Sequence, residues 1–405
     1  MDDDGRAMTD ETSRTPAPEP GFPPAPRYGS ASVADVLSSA AGALGVAGCQ
    51  DVLGLPQAER FVVVMVDGLG LEQLKARFGY APLLRNAALL GELDAAFPTT
   101  TASSLASLGT GRPVGEHGLT GYDSYSPELG QTVNMLGNWD SRVDPLRWQP
   151  LPTVLERAEQ AGIDVVTVSR KKFRQSSLTT AALRGGRFVA ADSTHARVRA
   201  AQENLRSGRR SLMYFYWDDL DKTGHQAGWG SAEWSEQLEE LDGCLRRLIA
   251  GLPPRTAVVL TADHGMVDIP AEGRLDVAAI PGLLDDAVTT SGEPRCLQLH
   301  LHPVAASARA EAQQRTMERW RAEFGEQVHA ATREELLDGG WFGPRERIRP
   351  AVVDRIGDVL VLPATEDLAF HDLSRIGAGT LTMVGQHGGL TRAEASVPLL
   401  GLAGL

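Results

Sequence analysis

The sequence predicts an α/β protein: a mainly parallel central sheet flanked by helices, with a smaller inserted cap region. Two observations carry this. Short apolar runs alternate with helix-length segments along most of the chain, and one late stretch breaks that rhythm before a last apolar run resumes it. The 405 residues, 42% hydrophobic and 22% charged, are enough for one large core plus an insertion.

Residues 1–27 combine acids, Ser/Thr and the cluster Pro16, Pro18, Pro20, Pro23, Pro24 and Pro26. Such a composition buries little apolar surface, so a disordered acidic, Pro-rich tail is expected. The catalytic core is expected over residues 28–270 and 375–405. Ser32 with Asp35 reads as a capping-box-like start for a short helix running toward Gly45. Phe61–Val66 reads as a buried parallel strand. Three helix–strand pairs follow: Leu151–Ala161 with Ile163–Val168, Ala196–Leu205 with Ser211–Tyr216, and Ala232–Ile249 with Ala257–Thr261. In such a sheet, functional groups gather in loops at the carboxyl ends of the strands. Over residues 271–374, Pro and Gly punctuation, a strand-like segment at His300 and His302, and the Trp320/Trp341 region mark the inserted cap. The chain returns through Leu381–Val384 and a Gly-rich loop, and Val397–Leu402 is expected to rejoin the main sheet.

A net charge of −13 argues against a broad basic surface for nucleic acid or anionic lipid, so any phosphate must be held locally. Positive charge comes mostly from Arg, with Lys only at Lys75, Lys171, Lys172 and Lys222, a bias that by itself carries no function. The apolar runs fall far short of the ~20 residues that span a bilayer. Met1-Asp2-Asp3-Asp4 is acidic where an export signal is basic, so a cytoplasmic location is expected. Cys49, Cys244 and Cys296 are odd in number and widely spaced, which suits reduced thiols rather than disulfides or a Cys-based zinc site. Nothing in the sequence sets an oligomeric state.

Four segments place metal-type ligands at strand ends or in glycine loops. Asp67-Gly68 follows the first strand; taken alone it reads as a turn. Gly68 and Gly70 could open a dinucleotide fingerprint, but Gln73 stands where the third glycine is needed. Asp221 and His225 are four residues apart, close enough to share an ion through a tight loop. Asp263-His264-Gly265 ends another strand, and His387 sits between glycines in Gly385-Gln386-His387-Gly388-Gly389. Together Asp67, Asp221, His225, Asp263, His264 and His387 form a mixed oxygen and nitrogen set suited to two Zn2+ ions, each with a position open to substrate. Phe97-Pro98-Thr99-Thr100-Thr101 supplies hydroxyls just before a helix beginning near Thr101. A helix N-terminus stabilises negative charge there. The plainer alternative is a Ser/Thr N-cap.

In this order the motifs resemble the nucleotide pyrophosphatase/phosphodiesterase branch of the alkaline phosphatase superfamily. The likeness covers roughly residues 60–270 and 380–402: a strand ending in Asp-Gly, then Phe-Pro-Thr-x-Thr, a His-Gly loop, Asp-x-x-x-His, Asp-His-Gly and a late Gly-x-His-Gly. The resemblance implies an alkaline phosphatase-like core with Thr101 as nucleophile and Thr99 and Thr100 as neighbouring alternatives. It implies one zinc on Asp67, Asp263, His264 and the Thr101 oxygen, and another on Asp221, His225 and His387. In-line attack on a phosphodiester or pyrophosphate bond would give a phosphothreonine intermediate that water hydrolyses. The implied substrate is a small phosphate ester or nucleotide. An acidic chain can still capture it, because three ligand carboxylates against two divalent ions leave a local charge of about +1.

One position departs from the pattern. After His117-Gly118-Leu119-Thr120-Gly121, where the family commonly carries an Asn that contacts a phosphoryl oxygen, this chain has Tyr122, which either binds substrate or packs. His117 is expected to structure its loop, and Asp218, Asp219 and Lys222 to support the metal segment or lie in solvent. None of the cysteines lies in a C/S-x-P-x-R setting, which argues against a sulfatase. The alternatives are a phosphonoacetate hydrolase-like C–P bond hydrolase, a manganese-type sugar-phosphate mutase, and a catalytically inactive relative that binds nucleotide or metal.

Overall fold

The computed structural model describes residues 22–137, 139–206 and 210–404. Arg60–Val66 (β1) is buried along its whole length, as a strand covered on both faces must be. Further strands are Ala88–Asp94 (β2), the hairpin Asp123–Ser126 (β3) and Gln131–Asn134 (β4), Asp164–Ser169 (β5), Arg187–Ala190 (β6), Ser211–Trp217 (β7) and Thr256–Ala262 (β8). The main sheet has seven strands in the order β2, Ser396–Ala403, β8, β1, β7, β5, β6. Pairing is parallel for β1 with β7 and β8 and for β5 with β6 and β7. Ser396–Ala403 rejoins the sheet as expected and is antiparallel to both of its neighbours, β2 and β8. β2 escapes the sequence reading because it is an edge strand whose Leu89 and Leu90 face solvent, so it lacks a buried apolar run.

The three anticipated crossover helices form over Val154–Gln160, Thr194–Leu205 and Ala232–Ala250. The first starts after Pro152, where Thr153 and Glu156 make a reciprocal capping box. Near the N-terminus a helix spans Ala34–Ala43, but only half of the anticipated box forms there. Asp35 accepts hydrogen bonds from the Ser32 N–H (2.9 Å) and hydroxyl (2.8 Å), and no side chain caps the helix.

Most of the expected tail, residues 1–21, lies outside the described residues. Residues 22–27 depart from that expectation by packing on the core. The Phe22 ring meets Trp341 edge-on at 5.1 Å. Arg27 pairs with Asp94, Nη2 to Oδ1 at 2.8 Å. Packing of one aromatic ring, with an exposed ion pair beside it, ties the segment to the core despite its polar composition.

Residues Ala287–Glu293, Cys296–Leu301, Val359–Pro363 and Val328–Thr332 form, in that spatial order, a separate antiparallel sheet. It is backed by the helix Ala306–Phe324, and Trp320 and Phe370 belong to its own apolar cluster. Leu336, Leu337 and Phe342, in contrast, belong to the main core. The turn after Glu293 carries Arg295, which grips Glu394 bidentately, Nε to Oε1 at 3.1 Å and Nη2 to Oε2 at 2.7 Å, with both side chains fully buried. Glu394 also accepts from the Gly389 N–H at 2.8 Å. This ion pair therefore ties the insert to the glycine loop that carries His387.

Cys49, Cys244 and Cys296 are free and buried. No helix among the described residues is long and apolar enough to cross a membrane. Removing one partner of the buried pair strands the other charge. Arg295→Met is therefore expected to lower stability by about 3–5 kcal/mol in urea unfolding, and Arg295→Met/Glu394→Leu to recover much of it.

Candidate metal and active site

Strand register builds the site. Val66 of β1 lies level with Trp217 of β7 and with Ala262 of β8. The next residues, Asp67, Asp218 and Asp263, therefore emerge side by side at the carboxyl edge of the sheet. Their partners then separate them. Asp218 is neutralised by Arg170, Lys172 and Lys222. Asp67 and Asp263 have no Lys or Arg partner among the described residues. Asp263 Oδ1 accepts the N–H groups of Gly68 and His264, each at 3.1 Å, while its Oδ2 is buried without a hydrogen bond.

Asp221 and His225 do not lie in the tight loop the sequence suggested. Both sit on the helix Asp219–Ala227, where a spacing of four residues puts them on one face, His225 Nε2 lying 3.4 Å from Asp221 Oδ2. Asp219 and Asp221 in its first turn suit the positive end of the helix dipole, which favours a helix over a loop. His387 comes in on its glycine loop and stacks on His264, ring centroids 3.6 Å apart. Gly388 has φ of 122°, and a Cβ there would come 2.3 Å from Glu293 Cγ, so only glycine fits.

All three imidazoles are oriented in the same way. Nδ1 of His225 donates to Gly385 O (2.7 Å), that of His264 to Gly265 O (2.9 Å) and that of His387 to Thr99 O (2.9 Å). A carbonyl can only accept, so Nδ1 carries a proton and Nε2 is the nitrogen turned toward the carboxylates, the one free to serve as a metal ligand in the neutral ring. Ligand atoms of Asp67, Asp263 and His264 lie within 4.8 Å of one another, as do those of Asp221, His264 and His387. The first trio is the one the family resemblance implied. In the second, His264 stands where His225 was expected, and His225 adjoins Asp221 from its own helix turn.

Thr101 is the first residue of the helix Thr101–Thr110. Its Oγ1 donates to Asp67 Oδ1 at 3.2 Å and lies 3.1 Å from His264 Nε2. The neighbouring hydroxyls are placed elsewhere. Thr99 donates to Gly389 O at 2.7 Å, and Thr100, the N-cap by position, makes no capping hydrogen bond. A simple cap thus does not account for this triplet.

Electrostatics mark the same spot. Burial, then the charges of Asp263 and Asp221, push the Asp67 carboxyl well above its usual range, although Tyr216 donates a hydrogen bond to it. Burial chiefly lifts Asp263 to about 7, with Asp221 adding repulsion. Burial, with His264 and His225 beside it, pushes His387 well down, which keeps it neutral. Crowded carboxylates, the neutral His387 imidazole and the orphaned Oδ2 of Asp263 are what divalent cations would satisfy. The residues present fit such ions.

A cavity of about 400 Å³ opens beside Thr101, His225 and His387. Tyr122 stands at its exposed rim, and its N–H donates to Glu293 Oε2 at 3.0 Å. Glu293 was not foreseen. It is buried, its carboxyl pushed up to about 8 by burial, and it reaches the site only because the insert folds back, a long-range event with no local signal. Tyr216 was also missed as a partner of Asp67. His117 is buried and bonded to Ser107 at 3.0 Å, a structural role in its loop.

The sequence matches the profile of the type I phosphodiesterase / nucleotide pyrophosphatase family over residues 61–390. Among solved structures, murine ectonucleotide pyrophosphatase / phosphodiesterase 5 aligns with a TM-score of 0.61 at 16% identity, covering 84% of this chain and 87% of that one. Phosphonoacetate hydrolase from Sinorhizobium meliloti aligns with a TM-score of 0.62 at 22% identity, covering 86% and 91%. Among curated proteins, phosphopentomutases of Shewanella frigidimarina and Tolumonas auensis are 30% identical over 119 residues and 33% identical over 145. Those two matches span only 27% and 33% of the curated relatives. The fold is alkaline phosphatase-like. The chain belongs to the type I phosphodiesterase / nucleotide pyrophosphatase family.

Elemental analysis of Asp263→Asn and His225→Ala proteins separates the two groups of ligands. Each variant is expected to hold less metal than the unaltered protein, with one position depleted and the other retained. Complete loss of all metal from both would indicate one shared centre instead.

Proposed function

We propose that this protein is a zinc-dependent phosphodiesterase or nucleotide pyrophosphatase that works through a phosphothreonine on Thr101. The observation that carries the reading is the Thr101 hydroxyl, which alone of its triplet bridges Asp67 and His264 at a helix N-terminus. One zinc would be held by Asp67, Asp263, His264 and the Thr101 oxygen, and the other by Asp221, His225 and His387. Zinc when bound lowers the pKa of coordinated hydroxyls and offsets charge on the phosphoryl group.

The chain's own groups supply the rest. Thr101 Oγ attacks phosphorus in line with the leaving oxygen, and the P–O bond to the leaving group breaks with its electron pair. The free N–H groups at the start of the Thr101–Thr110 helix point at the non-bridging oxygens. Water then displaces Thr101 from phosphorus and regenerates the hydroxyl. Glu293 fixes the backbone of Tyr122 at the cavity rim, so the Tyr122 hydroxyl can take up the contact to a phosphoryl oxygen. Residues 271–374 act as a cap that shapes the space for the substrate's remaining parts. The likeness to murine ectonucleotide pyrophosphatase / phosphodiesterase 5 supports this reading, because a threonine-to-alanine form of that protein is described as inactive and in complex with AMP.

Thr101→Ala is expected to retain fold and most metal while kcat on bis-p-nitrophenyl phosphate falls by roughly three orders of magnitude or more. Chelation should abolish wild-type activity and zinc restore it. Unchanged turnover in Thr101→Ala protein would move the nucleophile to another residue, and preference for phosphonoacetate would favour C–P hydrolysis.

A further inference from the structure

The segment that leads into Thr101 is held from two sides. On one side the glycine loop fixes Thr99. Its N–H donates to Gly388 O at 3.3 Å and its hydroxyl to Gly389 O at 2.7 Å. Its hydroxyl oxygen also accepts the Gly388 N–H at 3.1 Å, and its carbonyl accepts His387 Nδ1 at 2.9 Å. On the other side stands Tyr28, which precedes residue 61, where the family match begins. The Tyr28 hydroxyl oxygen accepts the N–H of Phe97 at 3.1 Å, and the hydroxyl donates to the Trp341 carbonyl at 3.3 Å. One phenol thus joins three stretches of chain: a strap of residues 22–28, the segment before Thr101, and the Trp341-Phe342 dipeptide of the insert.

Ring contacts follow the same lines. Phe22 of the strap meets the Trp341 ring at 5.1 Å and the His329 ring at 5.0 Å, and Phe97 meets Phe342 at 5.2 Å. Among the described residues, the Tyr28 hydroxyl makes the one hydrogen bond between residues 22–28 and residues 97–101. An open groove of about 840 Å³ runs between them elsewhere, with Pro23–Arg27 on one wall and Phe97 and Thr99 on another. Phe97 is fully buried, so without that hydroxyl its N–H has no acceptor, which costs more than an ordinary hydrogen bond. The Ala96 N–H is taken by Ser104 Oγ at 3.1 Å, but Ser104 lies on the nucleophile's own helix and moves with it. Tyr28 is therefore the polar anchor that opposes the glycine loop. A segment pinned only at Thr99 can pivot; pinned also at Phe97, it presents Thr101 in one orientation. Small displacements of a reacting group lower rate steeply.

We infer that Tyr28 is a positioning residue for Thr101: acting through the Phe97 N–H, it sets the nucleophile against Asp67 and His264 without touching substrate. The inference rests on the phosphodiesterase reading of Thr101. It gives the strap ahead of the family-matched region a part in turnover, and it ties that part to the insert through the Trp341 carbonyl.

The test measures kcat and KM on bis-p-nitrophenyl phosphate, zinc content, thermal unfolding, and amide hydrogen exchange over residues 97–101. It compares wild-type, Tyr28→Phe, Phe22→Ala and Ser193→Ala proteins. Tyr28→Phe keeps the ring and is expected to lower kcat roughly tenfold at unchanged KM and zinc content, with exchange over residues 97–101 faster by a similar factor. Phe22→Ala slackens the same strap with the hydroxyl in place, so a smaller fall in kcat is expected. Ser193→Ala loses the N-cap of the helix Thr194–Leu205; it controls for stability alone and should keep wild-type kcat while unfolding at a lower temperature. Wild-type kcat in Tyr28→Phe overturns the inference, as does a fall seen only in KM, only with lost zinc, or equally in Ser193→Ala. If wild-type protein is inert on the diester, the phosphodiesterase reading fails and exchange alone decides the anchor. Equal rates in wild-type and Tyr28→Phe then overturn it, and faster exchange confined to residues 97–101 supports it.

Discussion

Strands β1, β7 and β8 run parallel and in step, and that register delivers carboxylates to one buried edge where water cannot screen their repulsion. Asp67 and Asp263 meet there, and Asp221 arrives on a neighbouring helix. A cation would stabilise such a group of side chains, because burial and mutual repulsion both disfavour the ionised forms. The arrangement around them follows from this constraint. Backbone carbonyls hold each imidazole with Nε2 turned toward the carboxylates, Tyr216 steadies Asp67, and a helix N-terminus faces the gap.

The contrast with Asp218 shows how finely the edge is divided. It stands level with Asp67 and Asp263 yet is matched by three basic side chains. One carboxylate of the row is thus charge-compensated by protein, while its neighbours are left for a metal.

The insert contributes in a different way. It builds its own small sheet and apolar cluster, then reaches back through Glu293 and Arg295. The Arg295–Glu394 pair is fully buried, and Glu394 holds the loop that presents His387. Packing of the insert and position of a metal-type ligand are therefore mechanically linked. Tyr122 and Glu293 meet at the rim of the cavity beside His225 and His387, so its wall is shared between core and insert.

Much of this was legible in the chain itself. Parallel strands buried on both faces need continuous apolar runs, and the runs at Phe61–Val66, Ser211–Tyr216 and Ala257–Thr261 gave away the sheet and its carboxyl edge. Spacing marked Asp67, Asp263 and His264 as candidate ligands because they follow strands, and the family resemblance, not spacing, implied that they share one ion. Spacing could not decide whether Asp221 and His225 lie on a loop or a helix, since separation by four residues suits both. Nor could it foresee Glu293, Arg295 or the partners of Asp218, whose contacts are made across long loops. Local pattern determines elements and strand ends because hydrophobic periodicity is a short-range property. Which charged groups are neutralised, which hydroxyls stay unpaired and which histidine faces which carboxylate are decided only when distant segments pack, because electrostatic and hydrogen-bond partners are set by distance in space.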